Sequence, residues 1–194
     1  WRTITKQTYQ TLAKEYSTKQ LLEAGILTER ANGLTPLFYK HTVAVPFYDT
    51  NGLIYLRART LDPTVKAKYL APRGTSPPIY NYQTIAEYDG TRPLYITESE
   101  TDALALNELG EIALALVGGQ KHLDSLVVRE LAHLITNGFT PKLEINIVAD
   151  RDTTGDVFFK SVADALYLAG VPANNLNKYQ SDEQYKDIAD QVKA

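Results

Sequence analysis

Residues 147–156, "IVADRDTTGD", place two acidic residues on either side of an arginine, directly after an apolar run. An apolar run followed by Thr-Thr-Gly predicts a buried strand that turns into a helix. Asp150 and Asp152 would then follow the carboxyl end of the strand, where parallel α/β sheets form their sites. A spacing of two in extended chain directs both carboxylates to the same side. The stretch predicts a parallel sheet with an acidic edge.

The second half of the chain repeats this alternation of strand and helix. The predicted strands are residues 93–97, 112–118, 143–150 and 174–180, and the predicted helices are residues 98–110, 121–138, 153–170 and 181–194. Short links between alternating strands and helices favour a parallel sheet with helices on its faces. We therefore expect an α/β domain over residues 92–194.

The first half has a different character. We predict helices over residues 3–16 and 18–25, the second with Ser17 as N-cap, a loop over 28–40, a hairpin over 42–60 whose first strand breaks at Pro46, and a long irregular segment over 61–81. This pattern indicates a smaller mixed α+β lobe over residues 1–91.

Further acids follow another predicted strand end. Glu98 ends the strand before the helix of residues 98–110, and Asp102 lies one helical turn later. If that strand neighbours the one before Asp150, four carboxylates converge. Their mutual repulsion would raise their pKa values, and divalent cations with a preference for hard oxygen ligands, such as Mg²⁺ or Mn²⁺, would relieve it. Alternatively, Asp150 and Asp152 only begin a helix, where acids favour the dipole.

Two other interpretations of "DRDTTG" fit less well. A calcium loop requires a glutamate at its twelfth position, which is Ser161 here. A phosphatase of the haloacid-dehalogenase kind would use Asp150 as nucleophile and Asp152 as acid and base. That motif opens its domain and needs a lysine and further acids across a long chain, whereas only about forty residues follow here.

Composition limits the remaining classes. The 194 residues include no cysteine, which excludes disulfides and cysteine-bound zinc, and no apolar run reaches the ~20 residues of a membrane span. The net charge of −3 argues only weakly against nucleic acid, because bound cations would offset a carboxylate site. The three histidines, His41, His122 and His133, show no ligand spacing. Because the chain opens with Trp1 and lacks Met, we expect it to be part of a longer product.

Two motifs together resemble the Toprim domain. Residues 94–106, "LYITESETDALAL", resemble its first motif, and residues 148–156, "VADRDTTGD", resemble its second; "ALALVGG" between them lies where Toprim domains carry a glycine-bearing strand end. The upstream half is similar to the basic lobe of DnaG-type primases. The positions that match are Pro46, Asp49, Gly52, Arg59, Lys68, Tyr69, Leu70 and Pro72, and "YKDIAD" resembles the segment that closes the primase Toprim.

The resemblance implies a fold, an activity and partners. The fold would be an α/β Toprim domain, a parallel sheet flanked by helices, after a smaller mixed α+β basic lobe. The activity would be template-directed synthesis of RNA primers on single-stranded DNA from ribonucleoside triphosphates, in the cytoplasm, with a replicative helicase or fused helicase domain as a further partner. Two Mg²⁺ or Mn²⁺ ions would be held by acids drawn from Glu98, Asp102, Asp150, Asp152 and Asp187, with Glu98, Asp150 and Asp152 catalytic. Nucleic acid or nucleotide would contact Arg57, Arg59, Lys66, Lys68 and Arg73.

The sequence also departs from the primase pattern. Ser99 and Thr154 replace a glycine and an alanine, Tyr82 lies near a usual lysine, and Asp187 is the one acid that matches the final motif, where cellular primases have two. Neither the zinc-binding module nor the helicase-binding domain of cellular primases is present, which favours a catalytic-core fragment or a primase of a phage or other mobile element. A Toprim nuclease and a non-catalytic DNA-binding module remain alternatives.

Overall fold

The computed structural model describes residues 2–86, 88, 91–117 and 144–193. The chain divides into two compact units, the first formed by Trp1–Phe47 and Leu53–Ser76 and the second by Tyr48–Gly52 and Pro77–Ala194. The predicted helix over 121–138, the glycine pair at 118–119, His122 and His133 lie outside the described residues.

Helices open the first unit after a short strand, β1 (Arg2–Thr3). Helix α1 (Lys6–Glu15) begins at a capping box on Thr5, and α2 (Thr18–Glu23) begins at a second one on Ser17, whose hydroxyl accepts from the backbone N–H of Gln20. Such caps satisfy amide groups that a helix leaves unpaired at its start. The predicted N-cap at Ser17 is confirmed.

A second hairpin lies where the sequence predicted a loop. Strands β2 (Leu27–Arg30) and β3 (Gly33–Pro36) pair antiparallel across Ala31 and Asn32. The prediction of a loop over residues 28–40 was therefore wrong. The strands hold few β-branched residues, so propensity did not reveal them, and the turn works because Gly33 adopts a φ of +101°.

A four-stranded antiparallel sheet forms the centre of the first unit. Its order is β1–β4–β5–β6, with β4 (Val43–Asp49), β5 (Gly52–Arg59) and β6 (Tyr69–Leu70). The predicted hairpin over 42–60 is present, and Asp49 closes its turn by accepting from the amides of Asn51 and Gly52. The predicted break at Pro46 is absent. Strand β1 pairs only with Val43 and Ala44, so Pro46 needs no N–H for that neighbour.

The irregular segment after β5 is tied down by a buried histidine. His41 is 5% exposed, and its Nε2 lies 2.8 Å from the carbonyl oxygen of Ala67. The amide of Thr60 donates to the carbonyl of Lys68 at 2.9 Å. His41 therefore has a structural role.

The second unit contains a parallel sheet flanked by helices, as predicted. Its elements are α3 (Gln83–Ala86), β7 (Leu94–Thr97), α4 (Glu100–Glu108), β8 (Ile112–Ala115), β9 (Ile145–Val148), α5 (Thr153–Leu168), β10 (Leu176–Tyr179) and α6 (Ile188–Val192). The last helix is much shorter than the predicted one over 181–194, because it begins only at the N-cap Asp187. Among the described residues, no helix is long and apolar enough to cross a membrane.

The sheet order determines where a site can form. The strands lie in the order β10–β9–β7–β8 and all pair parallel. Strand β8, which follows β7 in the chain, therefore lies on one side of β7, and β9, which comes next, lies on the other side. Their apolar side chains, including Ile96 and Ile147, pack against Phe158 and Val162 of α5, and each buried side chain of this size contributes about 1.5–3 kcal/mol. The gap beyond the carboxyl ends of β7 and β9 is the topological switch point, where open α/β sheets bind ligands.

Candidate functional site

Glu98 is the first residue beyond strand β7. Thr97 pairs with Val148 of β9, so Glu98 lies at the switch point beside the end of β9. The hydroxyl of Thr97 donates to the carbonyl of Ser99 at 2.7 Å, which holds the bend that carries Glu98 out of the sheet. The two strands are neighbours, which is the condition under which the sequence analysis expected their terminal acids to converge.

Asp150 lies on the neighbouring strand end, and Gly155 fixes its backbone. A Cβ atom at Gly155 would lie 2.1 Å from the carbonyl oxygen of Asp150 and 2.7 Å from its nitrogen. No side chain fits there, so glycine lets the first turn of α5 rest directly on Asp150. The close approach holds the acid at the edge of the sheet.

Asp152 serves as the N-cap of α5. Its Oδ1 accepts from the amide of Gly155 at 2.8 Å. Asp152 therefore begins a helix, as the alternative interpretation expected. The N-cap bond uses only its Oδ1. Oδ2 is the oxygen with which Asp152 could bind an ion.

Asp102 is held on both sides of its carboxylate. It is 7% exposed, Oδ2 accepts from the Ser99 hydroxyl at 2.5 Å, and Oδ1 accepts from the amide of Ala189 at 3.0 Å. Ser99 is also the N-cap of α4. Asp102 therefore connects the start of α4 to α6. This arrangement is compatible with a structural role for Asp102 and with a role as a metal ligand.

Asp187 approaches the site from the last helix. Its side chain caps α6 by accepting from the amide of Asp190 at 2.8 Å. Since the Asp102 carboxylate binds the amide two residues after Asp187, the two acids belong to one connected group.

The carboxylates influence one another electrostatically. Burial raises the pKa of Glu98 above its ordinary value, and the charges of Asp150, Asp152 and Asp102 raise it further. For Asp150, burial also raises the pKa most, followed by Asp102, Asp152 and Asp187, while Lys186 lowers it.

Asp102 feels opposing influences. Burial raises its pKa most, and the hydrogen bonds from Ser99 and Ala189 lower it. The charges of Asp187 and Asp190 raise it again. The five predicted acids therefore lie within one electrostatic neighbourhood.

The donor set suits a hard divalent cation. All of the predicted ligands offer carboxylate oxygens, which Mg²⁺ and Mn²⁺ prefer. Within residues 2–86, 88, 91–117 and 144–193, no three acids or histidines surround a common point closely enough to form a ready-made metal cluster. The carboxylates are near enough for their charges to raise one another's pKa values.

The structure adds residues that the sequence analysis did not single out. Lys186 precedes Asp187 and is the cation felt by Asp150. Gln180 donates through Nε2 to the carbonyl of Asp150 at 3.3 Å. Lys186 could have been noticed, because it belongs to the "YKDIAD" segment; Gln180 is thirty residues from its partner and left no local signal.

Four of the five predicted cationic residues lie close together in the first unit. Arg57 and Arg59 project from alternate positions of β5, and their guanidinium carbons lie 3.9 Å and 5.6 Å from the ring centroid of Tyr69. Arg59, Lys66 and Lys68 line one cleft of about 390 Å³.

Two other positions are not among the residues that line that cleft. Arg73 lines a separate, largely apolar cavity of about 610 Å³ between α2, β2 and β5. Tyr82, in the second unit, packs against the apolar core beside α3. The structure therefore does not join Arg73 to the other predicted cationic residues.

The fold is that of the catalytic core of DnaG-type primases. The Aquifex aeolicus primase, solved with its zinc-binding and RNA polymerase domains, superposes with a TM-score of 0.70 at 19% identity over 100% of this chain and 47% of that one. A DnaG primase catalytic domain bound to single-stranded DNA superposes with a TM-score of 0.54 at 18% identity over 82% of this chain and 49% of that one. The chain thus spans about half the length of these structures.

The family follows from sequence. The chain is 31% identical to the gene 57 protein of Mycobacterium phage D29 over 133 residues, which are 66% of this chain and 80% of the phage protein. It belongs to the same family as that phage protein. No protein-family model matches the chain.

Proposed function

We propose that this chain is the catalytic core of a DNA primase, which synthesises short RNA primers on single-stranded DNA by metal-dependent nucleotidyl transfer. The observation that carries the proposal is the pair Glu98 and Asp150, which follow adjacent parallel strands at the switch point of a primase-like fold. Burial and, after it, the charges of the neighbouring carboxylates raise the pKa values of both acids.

The acids would hold two Mg²⁺ or Mn²⁺ ions. Glu98, Asp150 and Asp152 would supply oxygen ligands, with Asp102 and Asp187 as further ones. Such ions stabilise the charge on phosphate oxygens and lower the pKa of an attacking hydroxyl. The protein's own contribution is to hold the carboxylates in place before substrate arrives, through the contact of Gly155 with Asp150 and the N-cap bond of Asp152.

Cations on the first unit would hold phosphates. Arg57 and Arg59 border the Tyr69 ring, and Arg59 shares a cleft with Lys66 and Lys68. Phosphate contacts provide most of the affinity of proteins for nucleic acid. We propose that this surface binds template or nucleotide phosphates, and that single-stranded DNA and ribonucleoside triphosphates are the partners. A helicase, separate or fused, is proposed as a further partner in the cytoplasm.

A primer-synthesis gel tests the proposal. The protein is incubated with single-stranded DNA, labelled ribonucleotides and Mn²⁺, beside Asp150→Asn and a matched control, Asp164→Asn, which removes an exposed acid from α5. Short RNA from the wild type and the control, reduced at least about 100-fold in Asp150→Asn, would support a primase core.

Other outcomes identify the alternatives. Shortened DNA in place of new RNA would indicate a nuclease that uses the same acids with water as nucleophile. Neither product, together with no Mn²⁺ binding, would indicate a DNA-binding module. Full activity of Asp150→Asn would show the assignment of the acids to be wrong.

A further inference from the structure

Arg151 lies between the two acids of the motif and faces another element. Its Nε and Nη2 both donate to the carbonyl oxygen of Ser181, at 3.0 Å and 2.6 Å. Ser181 is thirty residues further along the chain, in the segment that follows β10. Nothing in the proposed chemistry requires a cation there, yet two charge-assisted bonds converge on one carbonyl.

Ser181 belongs to the segment that leads from β10 to α6. It is 6% exposed, and its hydroxyl donates to the carbonyl of Tyr185 at 3.3 Å. One residue earlier, Gln180 binds the carbonyl of Asp150. The segment is therefore attached at two successive residues to the chain that carries Asp150, and its own turn is closed by Ser181.

The same segment ends at Asp187, the N-cap of α6. Asp182 exchanges bonds with Gln191, through its amide at 2.9 Å and through Oδ2 at 3.3 Å. These contacts join the start of the segment to α6, and Asp187 lies between them in sequence. Asp102 holds the amide of Ala189, and on the side of Asp150 the segment is attached by Arg151 together with Gln180.

We infer that Arg151 is a positioning residue: by binding the Ser181 carbonyl it fixes the segment that carries Asp187 against Asp150 and completes the acidic site. That the acidic site binds metal rests on the proposed function. The bonds from Arg151 to the Ser181 carbonyl do not depend on any metal. A lysine could reach the carbonyl with one ammonium group but could not reproduce the fork of the guanidinium.

The test compares Arg151→Ala, Arg151→Lys and Arg92→Ala in the full chain. Arg92 is a matched control because its Nη2 donates to the carbonyl of Gly110 at 2.6 Å, before strand β7 and so at the opposite end of the sheet. Two measurements are made: amide hydrogen exchange without metal, and the dissociation constant for Mn²⁺. We expect Arg151→Ala to speed exchange at Ala189 and Asp190 at least tenfold and to weaken Mn²⁺ binding about tenfold. Arg92→Ala should change neither.

The outcomes separate the inference from the proposed function. Unchanged exchange in Arg151→Ala would overturn the inference, and so would unchanged Mn²⁺ affinity in a wild type that binds the ion. Complete rescue of Mn²⁺ affinity by Arg151→Lys while exchange stays fast would show that charge acts rather than position, which also overturns it. A wild type that does not bind Mn²⁺ would count against the proposed function, and the exchange comparison alone would then decide the role of Arg151.

Discussion

Gly155 and Asp150 are in backbone contact: a Cβ on the glycine would lie 2.1 Å from the aspartate's carbonyl oxygen. The first turn of α5 rests on the strand end without any intervening side chain. The position of the acid is therefore tied to the absence of a single methyl group five residues later.

Gly155→Ala should destabilise the protein although alanine favours helices. The propensity gain is about 1 kcal/mol, whereas the methyl group must displace backbone, and we expect a net loss of about 1–3 kcal/mol in the free energy of unfolding. Urea denaturation measures this. Thr154→Ala, at the exposed neighbouring position of the same turn, should change stability by less than about 0.5 kcal/mol. Equal stability of Gly155→Ala and wild type would contradict the close contact.

The stability of the metal-free protein should depend on the raised pKa values of Glu98 and Asp150. A carboxyl group whose pKa is higher in the folded chain binds its proton more tightly there, so protonation stabilises the fold. This contribution is fully present below the ordinary pKa near 4 and is lost as pH rises through the raised value.

The variant Asp150→Asn isolates this effect. It removes one repelling charge, so its Tm without metal should exceed that of the wild type at neutral pH, with the difference shrinking as pH falls towards about 4. Thermal unfolding followed by circular dichroism between these pH values measures it. Adding Mn²⁺ should raise the Tm of the wild type and not that of the variant. A constant difference at all pH values would mean that the charge of Asp150 is not the cause.

Phosphate binding by Arg59 and Lys68 predicts a change in salt dependence. Each contact with single-stranded DNA contributes about 0.7 to the slope of log affinity against log salt concentration. Arg59→Ala and Lys68→Ala should each weaken binding and lower the slope by roughly that amount in fluorescence anisotropy titrations. Lys14→Ala, an exposed lysine in the last turn of α1, is the charge-matched control and should leave the slope unchanged. If all three variants behave alike, the cleft is not the binding surface.

A substitution of Tyr69 should change the affinity for single-stranded DNA without changing the slope of log affinity against log salt concentration. Its ring lies 3.9 Å from the Arg57 guanidinium carbon and restrains that cation, a contact of about 0.5–1 kcal/mol at exposed sites. Tyr69→Leu should weaken binding of single-stranded DNA about two- to fivefold, because the charges remain but are less ordered. Tyr69→Phe keeps the ring and should bind like the wild type. A reduced slope in Tyr69→Leu would indicate that a phosphate contact itself had been lost.

Local signals in the sequence were sufficient to predict the strand ends and a helix cap. They were not sufficient to predict which strands pair or which distant residues form hydrogen bonds. The apolar runs before Glu98 and Asp150 marked both strand ends, and Ser17 marked a helix start. That β7 lies beside β9 could be stated only as a condition, because strand order depends on packing between distant segments. The bond from Ala189 to Asp102 spans 87 residues, and no periodicity encodes such a distance. The hairpin at Gly33 was missed because its strands are short and hold few β-branched residues.

The parallel pairing of Thr97 with Val148 also bears on how the chain matures. A ribosome releases Glu98 well before Asp150, and helix α4 (Glu100–Glu108), which lies between them in the chain, can form in the meantime from local contacts. We expect β7 and β9 to pair late, because the entropy cost of closing a long loop comes before the stabilising contacts between the strands form. The acidic cluster therefore does not exist in a nascent or half-folded chain. The repulsion among its carboxylates enters only when β7 and β9 pair, in the same step that buries Ile96 and Ile147 in the hydrophobic core that opposes it.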